Sequence, residues 1–251
     1  MILSMSYPLW NQLEQLKSAE WVDLTHTFDD AIPCFSEDER ASVKPLATVK
    51  EDGYYVQRWN LVTQYGTHLD APNHFVNHAR SLNDFDLTEF ALPLIVLDYS
   101  SEVAHDADFI VTKEHLIQWE RINGKIDPHT FVALRTDWSK RWPDTTKFEN
   151  KDAHGQPHTP GWSRDALQFL IEERQVKAIG HETFDTDAAI DATRNEDFVS
   201  QRYVLEQDIF QIELLTHLDQ LPARGAIIFT ICPKADDAPG FPVRAFAIKP
   251  K

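Results

Sequence analysis

A mixed α/β fold is what this sequence predicts, and two observations predict it. Short apolar, β-branched segments alternate with amphipathic segments of helical period, and the chain carries enough apolar mass for one sizeable core. Its 251 residues fit a single domain of this class, and 42% hydrophobic with 11% aromatic side chains excludes a disordered or collagenous chain.

The strands come first. "YYVQRWNLVT" (Tyr54 to Thr63) is rich in aromatic and β-branched residues, while "PLIVLDY" (Pro93 to Tyr99), "FVALRTD" (Phe131 to Asp137) and "AIIFTIC" (Ala226 to Cys232) are short and apolar throughout, as buried strands are. "TKEHLIQWERI" reads as a helix capped by Thr112. "SRDALQFLIEERQ" reads as a helix capped by Ser163, with Ala166, Leu167, Leu170 and Ile171 on one face. The stretch from Lys140 to Trp162, polar and broken by prolines, is expected to be an irregular loop, serving as a lid or an arm to a neighbouring subunit.

Charge and cysteine usage narrow the function. Forty acidic against 24 basic side chains give a formal charge of -16, which repels phosphate backbones and anionic lipid, so neither nucleic acid nor a membrane is an expected partner. Cys34 and Cys232 stand far apart outside any C-x-x-C spacing and are read as free thiols in a reducing cytoplasm. The start "MILSMSYPLWNQLEQ" has no basic, continuously apolar export signal, and no run reaches the ~20 apolar residues of a membrane span.

The chemistry concentrates in "QYGTHLDAPNHF", Gln64 to Phe75. Gly66 and Ala71-Pro72 prevent one helix from spanning it, so the segment must be a strand running into a turn. In an extended strand His68 and Asp70 point to the same side and form a compact nitrogen and oxygen donor pair. Pro72 suits the first turn of a short helix, which puts His74 on that turn as an unligated proton carrier. Imidazole plus carboxylate suits zinc or manganese. Spacing alone leaves a second reading open, an Asp cap with hydrogen-bonded turn histidines.

The segment resembles the signature H-x-G-T-H-x-D-x-P-x-H-F of the cyclase family of metal-dependent hydrolases, which includes bacterial kynurenine formamidase and isatin hydrolase. Every fixed position matches except the first, where Gln64 stands. "WVDLTHTFDDAIPCF", "AIGHETFDTD" and the closing stretches around Glu213 and "GFPVRAFAI" continue the resemblance. It implies a barrel-like mixed sheet flanked by helices, of the swivelling β/β/α type, assembled as a homodimer or homotetramer with sites near subunit contacts. It implies that His68 and Asp70 bind a divalent metal, zinc or manganese, and that His74 is the catalytic acid/base. Gln64 and Gln201 stand at ligand positions usually held by histidine, and Glu213 matches a further ligand. An amide oxygen is a weaker donor to zinc than imidazole, so one catalytic ion is expected rather than a full pair.

Other candidates are weighed against structural uses. Arg135 could hold a substrate carboxylate or pair with an acid, and Trp59 could form an aromatic wall or pack in the core. His158, with His154, could face substrate from the loop. His181, ending the apolar run "VKAIG", could join the site or sit in the core. No G-x-S-x-G and no Gly-rich phosphate loop is present. The expected activity is metal-assisted hydrolysis of a small amide, formamide or lactone, with a metal-poor small-molecule binding protein on the same fold as the alternative.

Overall fold

The structure, a computed structural model, describes residues 7–251. The first six residues, part of the stretch read for an export signal, lie outside the described residues. In chain order the strands are β1 (Glu20–Asp23), β2 (Ser42–Ala47), β3 (Val56–Asn60), β4 (His68–Asp70), β5 (Ala91–Asp98), β6 (Ile110–Val111) and β7 (Phe131–Arg135). They continue as β8 (Gly161–Trp162), β9 (Ala178–His181), β10 (Phe210–Glu213), β11 (Arg224–Ile231), β12 (Gly240–Pro242) and β13 (Arg244–Lys249). The helices are α1 (Pro8–Ser18), α2 (Val49–Asp52), α3 (Ser100–His105), α4 (Lys113–Asn123), α5 (Thr145–Glu149), α6 (Arg164–Gln168), α7 (Ala189–Asn195) and α8 (Val199–Glu206).

Nine strands form one sheet in the order β1-β13-β11-β5-β7-β9-β10-β4-β12. Its centre, β5-β7-β9-β10, is parallel, and both flanks are antiparallel. Parallel strands are buried on both faces, which is why their sequences are nearly continuous apolar runs. Leu94 and Val96 of β5 and Phe131 and Ala133 of β7 point into one core, whereas Ile95, Leu97, Val132 and Leu134 point into the other. The first core draws side chains from strands at both ends of the sheet, Leu69 at one and Ala245 at the other, and is the inside of a curl. The second lies under α4, α6 and α8, which contribute Leu116, Leu167 and Val204. Curling is enforced by the chain itself: β12 and β13 belong to opposite ends of the sheet yet are separated by Val243 alone. The sheet is therefore barrel-like, as expected, although β1 and β12 stay as edges.

Helix caps follow the sequence. Thr112 caps α4, and the Ser163 hydroxyl accepts the amide of Ala166 to start α6, which runs on into a wider π turn over Phe169–Glu173. The strand expected within Tyr54 to Thr63 forms as β3, which pairs only with β2 in a separate exposed ribbon. One expectation is corrected. The Lys140 to Trp162 segment is not irregular throughout: it carries α5 and β8 and fully buries Phe148 and Trp162. Aromatic mass overrode the prolines there. No helix among the described residues is long and apolar enough to cross a membrane.

That segment is pinned from the other side by His26, whose ring stacks on Trp142 at 4.1 Å between centroids. Burial, and then the charge of nearby His217, push the His26 imidazole from its ordinary 6.5 down to about 4. Between those two values the unfolded chain binds a proton that the folded chain refuses, so stability falls as pH falls through that window. The full loss is on the order of 3 kcal/mol. His26→Phe keeps the stacking surface and should flatten the acid limb of urea unfolding measured from pH 7 to pH 4; an unchanged limb would assign it to other groups.

Candidate metal centre

The site is built by strand register. β4 lies between β10 and β12, and its antiparallel ladder sets His68 opposite Glu213 and Asp70 opposite Gln211. Alternation turns these four side chains to one face and Leu69 and Ile212 to the core on the other. His68 Nε2 lies 3.5 Å from Asp70 Oδ1 and 3.4 Å from Glu213 Oε2, and donor atoms of all three residues fall within 4.8 Å of one another. All three are buried.

Local backbone aims the imidazole. Gly66 turns the chain at a φ of +64°, a conformation that favours glycine, and its carbonyl accepts His68 Nδ1–H at 2.8 Å. That bond leaves the Nε2 lone pair facing two carboxylates. Burial works to lower the His68 pKa, but Asp70 and Glu213 outweigh it and raise it well above the ordinary value. Burial likewise works to raise Asp70, yet His68, assisted by Gln211, holds its carboxyl at about 2. A pocket that draws a proton so strongly also draws a divalent cation.

The residues fit such an ion. His68 Nε2 and Gln201 Oε1 are buried without a hydrogen-bond partner, and a cation held between them would give both atoms one. The 3.4 and 3.5 Å spacings match the roughly 3.4 Å edge of a tetrahedron whose bonds are about 2.1 Å. One nitrogen and several oxygens suit zinc or manganese.

Three glutamines surround Asp70. Gln201 Nε2 reaches Oδ2 at 3.3 Å from α8, and Gln211 Nε2 reaches Oδ2 at 3.1 Å and Glu213 Oε1 at 2.9 Å. Gln64 Nε2 reaches Oδ1 at 3.3 Å, while its own oxygen accepts the Thr63 hydroxyl. Gln64 thus faces the site through N–H, and Gln201 is the glutamine with a free oxygen. Gly240 makes room for this: a Cβ there would come within 2.5 Å of Gln64 Nε2.

Gln64, His68, Gln201 and Glu213 open on a cavity of about 350 Å³ whose other walls include Phe35, Val62, Phe75, Phe184, Phe198 and Leu214. His74 lines it from the Pro72–His74 turn, against which α8 packs. Asp185 also lines it; burial, then Glu213, Asp187 and Asp70, raise its pKa well above the usual carboxylate value. Among the described residues no Lys or Arg lines the cavity.

Of the remaining candidates, Arg135, Trp59 and His158 fall elsewhere. Arg135 is paired with Asp98 at 2.6 Å and Asp137 at 2.8 Å and lines a different groove with Tyr99 and Trp119. Its position at the end of β7, opposite Asp98 of β5, explains the pairing. Trp59 packs on Phe28 from the outlying ribbon. His158 holds Asp108 at 2.7 Å and does not line the cavity. His181 is fully buried behind the site, 3.5 Å from Glu213 Oε1.

Two residues of the site, Gln211 beside the carboxylates and Asp185 in the cavity wall, were not among the candidates. Gln211 had a signal, since alternation through "FQIE" places it on the face of Glu213. Asp185, in a turn after β9, falls in "AIGHETFDTD", where the resemblance rather than any spacing marks it. Replacing Gln211 by Met should leave both carboxylates short of a donor and weaken binding of Mn²⁺ by about 10- to 100-fold. Calorimetric titration checks this, and unchanged affinity would make Gln211 a core residue only.

Comparisons with known proteins show the family of the chain. A family model described as "Putative cyclase" matches residues 22–188. An isatin hydrolase of Roseibium aggregatum is 32% identical over 218 residues, 84% of this chain and 82% of that protein. A kynurenine formamidase of Bacillus thuringiensis subsp. konkukian is 23% identical over 236 residues, 94% and 100% of the two chains. Among solved structures, isatin hydrolase A from Ralstonia solanacearum superposes with a TM-score of 0.90 at 27% identity, covering 99% of this chain and 100% of its own. An isatin hydrolase bound to the product analogue thioisatinate superposes at 0.89 and 30% identity, covering 98% and 100%. The chain that places His68, Asp70 and Glu213 around one point belongs to the cyclase family.

Proposed function

We propose that the chain is a metal-dependent hydrolase of a small, ring-bearing amide, holding one divalent ion, Zn²⁺ or Mn²⁺. The observation that carries this is the convergence of His68, Asp70 and Glu213 at the inner end of an aromatic-walled cavity. Relatives named isatin hydrolase and kynurenine formamidase support a cyclic amide or an N-formyl arylamine as substrate; a lactone offers the same carbonyl.

His68 Nε2, Asp70 and Glu213 would hold the ion, with Gln201 Oε1 as the amide donor. When bound, a divalent ion supplies Lewis acidity to a carbonyl and acidifies a coordinated water. The protein's own part is to place a flat ring against Phe35, Phe75, Phe184 and Phe198 and to move a proton. The His74 imidazole takes the proton of the attacking water and returns it to the leaving nitrogen, a relay typically worth ~10² to 10⁴ in rate. Hydrolysis turns a neutral amide into a carboxylate. Among the described residues no Lys or Arg lines the cavity to pair with that carboxylate.

Protein purified without chelator is expected to carry about one equivalent of metal and to open isatin-type amides or deformylate N-formylkynurenine. Near-zero metal, and no turnover after adding Zn²⁺ or Mn²⁺, would leave a small-molecule binding protein instead. His74→Ala should keep its metal and lose ~10² to 10⁴ in kcat; loss of metal would make His74 a ligand, and full turnover would remove it from the reaction.

We also infer a homodimer or homotetramer. Leu9 (77% exposed) and Trp10 (66%) on α1 lie open beside no core, and Trp21 and Ile231 leave apolar surface on the sheet. Light scattering should give a mass of two or four chains; a monomer at micromolar concentration refutes this.

A further inference from the structure

Glu213 comes from outside the His68–Asp70 segment, and its two oxygens face different partners. Oε2 lies 3.4 Å from His68 Nε2, whereas Oε1 accepts Gln211 Nε2–H at 2.9 Å and lies 3.5 Å from His181 Nε2. A carboxylate torsion is broad and nearly two-fold, so a glutamate presents a defined oxygen only if the other is held.

His181 is placed to do the holding. It ends β9, whose parallel pairing with β10 sets Gly180 opposite Ile212 and so brings His181 alongside Glu213. Two backbone bonds lock the approach, Leu215 N–H to the His181 carbonyl at 2.9 Å and Leu214 N–H to that of Thr183 at 3.3 Å. The ring is 1% exposed, and neither nitrogen has a hydrogen-bond partner. An apolar side chain would fill the same volume without leaving polar atoms unpaired in the interior, so a purely packing role does not account for an imidazole.

We propose that His181 is a positioning residue for the cation site: its Nε2–H bears on Glu213 Oε1 and, with the Gln211 amide, fixes Oε2 as the oxygen presented beside His68. This role requires the Nε2–H tautomer, with Nδ1 bare. It extends the hydrolase reading but rests only on the site binding a divalent cation.

The test is Mn²⁺ affinity of the metal-stripped full chain, read by electron paramagnetic resonance of free Mn²⁺, rather than turnover. His181→Phe should weaken binding about 10- to 100-fold, and His181→Gln, whose amide N–H can reach the same oxygen, should recover much of it. Wild-type affinity in His181→Phe, with only thermal stability lowered, would overturn the proposal. If that variant does not fold, the unsubstituted chain decides. Its imidazole ¹⁵N spectrum, assigned against His181→Gln, should give the Nε2–H tautomer for His181, and an Nδ1–H tautomer would overturn it. A chain that binds no divalent ion at all would end the hydrolase reading, and the tautomer would then judge the His181–Glu213 contact by itself.

Discussion

The ladder between β4 and β10 is the constraint on which the rest of the molecule depends. It forces donor atoms of an imidazole and two carboxylates to within 4.8 Å of one another in an interior where each uncompensated charge costs several kcal/mol. Such a ladder is tolerable only with a positive species at its centre, so the strand pairing and the cation are two halves of one energetic arrangement. A slip of one residue would exchange His68 and Asp70 for Leu69 and put charge into the core. Register here is therefore fixed by both faces at once: apolar burial below and ligand geometry above.

The environment of that centre uses neutral donors. Gln64, Gln201 and Gln211 all direct N–H groups at Asp70 without adding charge. An arginine or lysine in any of these places would satisfy the same oxygens and also occupy the electrostatic role of the ion. Amides keep the carboxylates oriented and leave the negative field intact. The aromatic walls have the complementary effect of excluding water, which strengthens every electrostatic interaction inside the cavity.

Much of the fold was legible because the central strands are buried on both sides and so carry uninterrupted apolar runs, as in "PLIVLDY" and "FVALRTD". The ribbon containing Trp59 was not, since β-branched and aromatic residues mark a strand without saying which sheet it joins. The motif residues His68, Asp70 and His74 lie close in sequence, and alternation plus one turn suffices to group them. Arg135 was ambiguous because one of its two partners, Asp98, is 37 residues away, and only the β5–β7 pairing brings them together. The Lys140 to Trp162 segment misled for a related reason: prolines announced a loop, while Phe148 and Trp162 carried the packing.

The single residue Val243 between β12 and β13 has a consequence for biogenesis. β12 flanks the ligand-bearing strand β4, and β13 pairs with β11 and β1 at the far end of the sheet. During translation the ribosome must release residues 240–249 before either end of the curl can be sealed. Until then β4 lacks its outer neighbour, so the sheet edge beside the buried acids is among the last parts of the curl to close.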